Sequence, residues 1–154
     1  MPLSPSKINT FLFFKLPAAY IAGVRVRDVN KSSCVVSVKH KWINQNPFKS
    51  MFWAVQGMAA ELATGALVMQ KIREYGKPIS MLVLANNARF YKKATGKIIF
   101  TCKDGDSLDA AVHKAIQTGV GQTIWMHAVG TNENGIVVAE FNFEWTLKLK
   151  EPSD

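Results

Sequence analysis

One carboxylate stands alone in an apolar stretch of the chain. Between Ser50 and Gln70, Glu61 is the only side chain with a formal charge, and it has no cation three or four residues away on the same helix. Burial raises the pKa of a carboxyl group, and a carboxylate with a raised pKa is a good general base near neutral pH. The alternative is a structural role, in which Glu61 bonds to a backbone group, to His40 or to a neighbouring subunit.

Other chemistry-bearing residues give weaker signals. His40 lies on the apolar face of a predicted strand, which favours a core position over a catalytic one. Cys34 and Cys102 are too few for a disulfide scaffold, and no Cys or His cluster has metal-ligand spacing, so we expect no metal and no cofactor. Two buried thiols are typical of a reducing compartment, which predicts a cytoplasmic protein.

The elements that position Glu61 can be read from hydrophobic periodicity. A hairpin over 24–43 precedes a long helix over 47–75, in which Asn46 is the predicted cap and Pro47 the first residue. A third strand covers 79–92, a short helix 107–118, and the last strand 136–149 alternates apolar and polar residues. A short amphipathic helix is expected before the hairpin. Small residues along the long helix allow a curved sheet, or a second helix, to approach it closely.

The chain has 154 residues, which predicts a single domain over 1–154. A central Glu and many Ala and Gly residues argue against a membrane span over 50–70. The net charge of +8 suits an anionic partner, although it also serves solubility. No sequence motif for nucleic-acid recognition accompanies that charge, so we expect no nucleic acid partner.

The order of hairpin, central helix and meander resembles the hotdog fold of acyl-CoA thioesterases and dehydratases over residues 20–150. The stretch NPFKSMFWAVQGMAAELATG (46–65) is similar to phenylacetyl-CoA-thioesterase-type hotdog proteins, with Asn46, Glu61 and Gly65 at matching spacing. ARFYKKATGKIIF and VGTNENGIVVAEFNFEWTL resemble the following strands. The resemblance implies an α+β hotdog fold, a curved antiparallel sheet wrapped around one long helix.

Two features depart from that family. Phe52, Trp53 and Ala54 replace its His-Gly-Gly motif, and the helix at 107–118 is an insertion. Both resemble a poorly characterised branch of thioesterase-like hotdog proteins.

The resemblance also implies roles for residues. Glu61 would activate water or attack the thioester, with Asn46 orienting the substrate unless it only caps the helix. The amide of Trp53 or Ala54 would bind the carbonyl oxygen. The implied substrate-binding residues are Phe52, Trp53, Ala54, Gln56 and Gly65, and the implied coenzyme A contacts are Arg89, Lys92 and Lys93.

Geometry adds a requirement for oligomerisation. Trp53 and Glu61 are eight residues apart, which is about 12 Å along one helix. One carbonyl group cannot contact both in the same chain, so Glu61 must act with the helix start of a second subunit. We therefore expect a homodimer or a dimer of dimers that hydrolyses acyl thioesters of coenzyme A or of an acyl carrier. The alternative is a non-catalytic hotdog protein that binds an acyl ligand or serves assembly.

Overall fold

The computed structural model describes residues 2–152, which form one six-stranded sheet and four α-helices. In chain order the elements are α1 (Pro5–Lys15), α2 (Pro17–Ile21), β1 (Arg25–Val29), β2 (Cys34–Lys39), a 3-10 helix (Trp42–Asn44), α3 (Trp53–Tyr75), β3 (Ile79–Phe90), β4 (Lys97–Cys102), α4 (Gly105–Thr118), β5 (Gln122–Thr131) and β6 (Val137–Leu149).

The sheet is antiparallel, with strand order β1-β2-β4-β5-β6-β3, and α3 lies mainly across β2, β4 and β5. Small side chains on α3, among them Ala59, Ala63 and Ala66, are fully buried against this sheet. At Gly65 the helix lies close to the sheet, since an added Cβ would be 3.2 Å from the Trp145 ring. The α+β hotdog fold with a long central helix is confirmed.

The central helix starts six residues later than predicted, at Trp53 rather than at Pro47. Asn46 is therefore not its cap; the N-cap is Phe52, with no side-chain hydrogen bond. The Asn46 side chain accepts the amides of Phe48 and Ser50 instead, which folds residues 46–51 into a loop. Lys49 adopts a left-handed backbone conformation (φ 60°) that no α-helix can include.

β3 is the edge strand next to β6, and its 12 residues extend beyond the cover of α3. Its sequence contains no proline, and Leu82 and Leu84 are 68% and 58% exposed. Edge strands with these properties tend to pair with another chain. A bulge between Val83 and Ala85 shifts the register of β3 against β6.

Both additional helices are present. The predicted inserted helix at 107–118 is α4. Its Asp109 carboxylate contacts the central helix by an ion pair with Lys71 Nζ (3.3 Å) and by a hydrogen bond from the Tyr75 hydroxyl (3.2 Å). The expected N-terminal helix is α1, but it is less amphipathic than predicted. Its buried face is apolar, and Phe13 and Phe14 on its outer side are exposed as well.

None of the helices between residues 2 and 152 combines the length and the hydropathy that a membrane span requires.

Candidate functional site

Glu61 lies half-buried on the central helix, at the wall of a mostly apolar cavity of about 470 Å³. The cavity lies between α1, α3 and the uncovered inner side of β3. Its lining residues are Phe11, Lys15, Leu16, Glu61, Leu62, Gly65, Met69, Met81, Leu82, Val83 and Trp145. The predicted substrate-binding residue Gly65 therefore shares this cavity with Glu61, one helical turn away.

The Glu61 carboxylate has no hydrogen-bond or ion-pair partner within residues 2–152. Lys15 lines the same cavity but is not within ion-pair distance. Burial raises the pKa of this carboxyl group above its ordinary value of 4.5. An unpartnered carboxylate in apolar surroundings retains its lone pairs for a bound molecule, as a general base or nucleophile requires.

Two hydrogen bonds hold the helix backbone at Glu61 against the sheet. The Trp145 indole Nε1 donates to the Thr64 hydroxyl (2.9 Å), and that hydroxyl donates to the Glu61 carbonyl oxygen (2.9 Å). Thr64 and Trp145 are both buried. This chain of bonds fixes the segment that carries the carboxylate.

A second cavity, of about 560 Å³, lies at the start of α3. Its lining residues are Asn46, Pro47, Phe48, Ser50, Met51, Phe52, Trp53, Gln56, Phe90, Tyr91, Lys92, Lys93 and Ala94. The late start of α3 leaves the backbone amides of Trp53 and Ala54 without an acceptor among the described residues. Free amides at the positive end of a helix dipole can bind a carbonyl oxygen on which negative charge develops.

Gln56 has an unsatisfied polar group in this second cavity. The side chain is only 4% exposed; its Nε2 makes one long hydrogen bond to Met51 O (3.5 Å), and its Oε1 is buried without a partner in the described chain. A buried amide oxygen left unpaired costs free energy, which a bound molecule with an N–H or O–H group would recover.

The Asn46 side chain, by contrast, is saturated. Its Oδ1 accepts the amides of Phe48 and Ser50, and its Nδ2 donates to Ser50 Oγ (3.0 Å) and Met51 O (3.3 Å). These bonds shape the loop before the helix and leave Asn46 little capacity for a substrate.

The predicted coenzyme A contacts lie in different places. Lys92 and Lys93 line the helix-start cavity, and Lys93 Nζ donates to Phe48 O (3.3 Å). Arg89 is exposed on β3 opposite Glu140 of β6 and lines neither cavity.

The two cavities lie at opposite ends of β3. The Glu61 cavity contacts residues 81–83, and the helix-start cavity contacts 90–94. Within one chain the carboxylate and the free amides are therefore not brought together, in agreement with the separation of about 12 Å along the helix.

The remaining reactive side chains lie elsewhere. Cys34 and Cys102 are buried cross-strand neighbours, and burial raises the pKa of each thiol to about 12, which removes them as nucleophiles. His40 Nε2 is buried and has no hydrogen-bond partner among residues 2–152, but the residue lines neither cavity. Among the residues described, no group of three or more His, Cys, Asp and Glu side chains could hold a metal ion.

The sequence patterns did not single out several lining residues. Phe90 is the last residue of β3 and Tyr91 follows it, whereas Trp145 and Met81 face the Glu61 cavity from two paired strands. Strand alternation places Trp145 and Met81 on the inner face of the sheet, but only the overhang of β3 beyond the helix opens a cavity beside them.

Comparison with known proteins supports the fold. The family model described as a domain of unknown function (DUF4442) matches residues 6–147. A Pseudomonas aeruginosa protein of unknown function, called a probable thioesterase, is 22% identical with a TM-score of 0.82, covering 97% of this chain and 99% of the other.

Two further solved structures are similar over nearly their whole length. A thioesterase from Haemophilus influenzae is 13% identical with a TM-score of 0.76, covering 100% of this chain and 97% of its own. Zebrafish thioesterase superfamily member 2 is 15% identical with a TM-score of 0.69, covering 96% and 99%. The comparison with curated protein sequences gives no match.

Proposed function

This chain belongs to the DUF4442 family within the hotdog-fold superfamily, and on that premise we propose that it hydrolyses acyl thioesters. The observation that carries the proposal is the Glu61 carboxylate, half-buried in an apolar cavity with a raised pKa and no partner in the described chain. As a general base, Glu61 takes a proton from water, and the resulting hydroxide attacks the thioester carbon. As a nucleophile, it forms an acyl anhydride that water then cleaves. Either route yields a carboxylic acid and a thiol.

The amides of Trp53 and Ala54 are the proposed oxyanion donors. The tetrahedral intermediate carries negative charge on the former carbonyl oxygen, and two free N–H groups at a helix start are suited to it. Removal of one such donor typically lowers kcat by about 100- to 1,000-fold. We assign Asn46 to this part of the site as the side chain that holds the preceding loop and thereby leaves both amides unpaired.

A two-fold dimer through β3 would unite the two halves of the site. Pairing two copies of β3 antiparallel, with the axis between Asn86 and Asn87, sets residues 81–83 of one chain opposite 90–92 of the other. The Glu61 cavity of each subunit would then adjoin the helix-start cavity of its partner. Exposed Leu82 and Leu84 on an unpaired edge strand are consistent with this interface.

In this dimer each half of the substrate has a surface of matching chemistry. The acyl chain would enter the apolar Glu61 cavity, whose lining includes Gly65 and Trp145. The thiol half would lie in the helix-start cavity against Phe52 and Gln56, whose free oxygen can accept an N–H from an amide-containing carrier arm.

Lys92 and Lys93 at the mouth of that cavity carry the charge that a phosphorylated carrier needs, and Arg89 lies close by in sequence. We propose coenzyme A as the carrier. The same chemistry would bind the phosphopantetheine arm of an acyl carrier protein.

The test is hydrolysis of acyl-CoA thioesters of graded chain length and aryl character, followed by release of free thiol, for the wild type and Glu61→Gln. The substitution preserves size and removes the base, so we expect kcat to fall by about 100- to 10,000-fold while the oligomer and the circular dichroism spectrum are unchanged. Equal turnover in the two proteins would refute the role of Glu61.

A second function, non-catalytic binding of an acyl ligand, is favoured by the replacement of His-Gly-Gly by Phe52, Trp53 and Ala54, since bulk at this place could fill the acyl tunnel. If the wild type hydrolyses no thioester in the panel but binds an acyl-CoA in calorimetry, ligand binding replaces hydrolysis as the proposed function.

A further inference from the structure

A group of exposed and half-exposed apolar side chains, which we call the N-terminal apolar track, lies on α1, α2 and the 3-10 helix. It consists of Phe13, Phe14, Tyr20, Ile21, Trp42 and Ile43. Trp42 is 83% exposed and Phe14 is 70% exposed. Single exposed apolar residues are ordinary, but contiguous ones mark an interaction surface.

Ring contacts join three members of the track, and a hydrogen bond between neighbouring residues ties their elements to the 3-10 helix. The Phe13 ring meets Phe14 at 4.9 Å and Tyr20 at 5.1 Å between centroids, which connects α1 to α2. At the end of α2, Ala22 O accepts a hydrogen bond of 2.9 Å from Asn44 Nδ2, which ties α2 to the 3-10 helix. Ile21 directly precedes Ala22 in the sequence, and Ile43 directly precedes Asn44.

The track lies apart from the proposed subunit interface. On α1, Phe11 and Lys15 line the Glu61 cavity, whereas Phe13 lines a different depression with Tyr20 and Arg25. No member of the track is among the lining residues of the Glu61 cavity, which adjoins β3.

The positive charge of the chain is concentrated in the same region. Residues 1–60 contain eight Lys and Arg and one acid, Asp28, whereas residues 61–154 contain eleven basic and ten acidic residues. None of the basic side chains of residues 2–60 forms an ion pair within the described structure.

Individual cations alternate with the apolar side chains of the track. Lys7 lies on the same face of α1 as Phe14, seven residues away, and Lys41 directly precedes Trp42; both lysines are exposed. The Arg25 guanidinium lies over the Tyr20 ring at 3.5 Å.

From these observations we propose that α1, α2 and the 3-10 helix bind the surface of an anionic lipid bilayer, without spanning it. The exposed aromatic and aliphatic side chains enter the boundary between headgroups and acyl chains, and the surrounding lysines contact lipid phosphates. Tryptophan and tyrosine are suited to this boundary because each has an apolar ring and a polar N–H or O–H group. The exposed side chains of the track lie on three helical elements, from which they can enter the surface of a bilayer.

The proposal goes beyond thioester hydrolysis, and its test does not use turnover. The full chain is sedimented with vesicles of phosphatidylcholine alone or mixed with equal phosphatidylglycerol, at low salt and at high salt. We expect at least about tenfold stronger partitioning onto the anionic vesicles at low salt, with a blue shift of tryptophan emission, and a comparable loss at high salt.

Three variants identify the surface. Phe14→Ser combined with Trp42→Ser should weaken partitioning about tenfold or more, as should Lys7→Glu combined with Lys41→Glu. Trp125→Ser is the matched control, because Trp125 is an exposed tryptophan on β5 outside the basic segment. It should bind vesicles as the wild type does. Circular dichroism and melting temperature verify that every variant is folded.

Four results would overturn the proposal. They are no vesicle binding by the wild type, equal binding to neutral and anionic vesicles, unchanged binding by the Phe14 and Trp42 double variant, and a lower oligomeric mass in that variant. The last would mean that the track is an interface between copies. Binding that requires the lysines but neither apolar residue would instead indicate a site for a soluble polyanion.

Discussion

Mixing two inactive variants tests whether the site is shared between subunits. The first is Glu61→Gln. The second is Trp53→Pro, which removes the amide proton at the first helical residue, where proline is well tolerated. The backbone of Phe52 (φ −59°, ψ 131°) already has the extended conformation required before proline, so the change removes the donor without breaking the helix. Trp53→Ala is its matched control, because it removes the indole ring but keeps the amide.

The expected recovery follows from counting sites. Each variant alone should retain about 1% of activity or less, given the loss of a base or of an oxyanion donor. In a two-fold dimer that combines the variants, one site receives both wild-type halves and the other receives both altered halves. Random exchange at equal amounts makes about half of the dimers mixed, so the mixture should regain about a quarter of wild-type activity.

The assay is thiol release after the two variants are co-expressed with different affinity tags, with the mixed dimer purified through both tags. The purified mixed dimer should reach about half of wild-type activity per dimer, since one of its two sites is intact. Activity no higher than the average of the two parents would refute a shared site. Trp53→Ala should retain far more activity than Trp53→Pro, and equal loss in both would assign the effect to the indole ring rather than to the amide.

Four further predictions concern the base, the interface and the core. Because burial raises the pKa of Glu61, kcat/KM should fall as pH drops through a value above 4.5, and that limb should be absent from the residual rate of Glu61→Gln. The folded state holds the Glu61 proton more tightly than the unfolded state, so the stability that this proton contributes is lost as pH rises above 4.5. Denaturation experiments should therefore find Glu61→Gln at least as stable as wild type at pH 7, and the difference should shrink toward pH 4. Leu84→Lys on β3 should lower the mass measured by light scattering from that of a dimer to that of a monomer, because the proposed register sets residue 84 opposite Arg89 of the other copy. The control Ile136→Lys, between β5 and β6, should leave the mass unchanged. An unchanged mass for Leu84→Lys would argue against this interface. Gly130→Ala should destabilise the protein by about 1–3 kcal/mol or more, because its Cβ would lie 2.5 Å from the buried Phe100 ring, and a melting temperature equal to wild type would contradict that geometry.

The order of elements could be predicted because each leaves a periodic pattern. The alternation of β6 and the apolar stripe of α4 are both found where the sequence puts them, within two residues. These patterns depend on local burial, which one chain determines by itself.

The start of the central helix could not be predicted from Asn46 and Pro47. The same side-chain oxygen that can cap a helix can also accept amides within a loop, and local sequence does not distinguish the two uses. Tertiary contacts determine where this helix starts. Met51 N donates a hydrogen bond to Ala94 O and Phe52 N donates one to Asn44 O, and these bonds keep residues 51 and 52 out of the helix until Trp53. The second strand ends earlier than predicted for a similar reason. The Asn44 side chain accepts a hydrogen bond from Lys41 N and donates one to Lys39 O, and Trp42 is therefore exposed in the 3-10 helix.

The late start of α3 and the overhang of β3 have complementary consequences. Had α3 begun at Pro47, the amides of Trp53 and Ala54 would have bonded within the helix and could not receive an oxyanion. Had α3 covered β3, Glu61 would have been sealed in the core with no access to substrate. Each departure from a regular layout leaves one polar group unpaired in the described chain. The cavities that contain the two groups lie at opposite ends of β3. A two-fold operation on that strand brings unlike ends together, so a single interface would complete two sites at once.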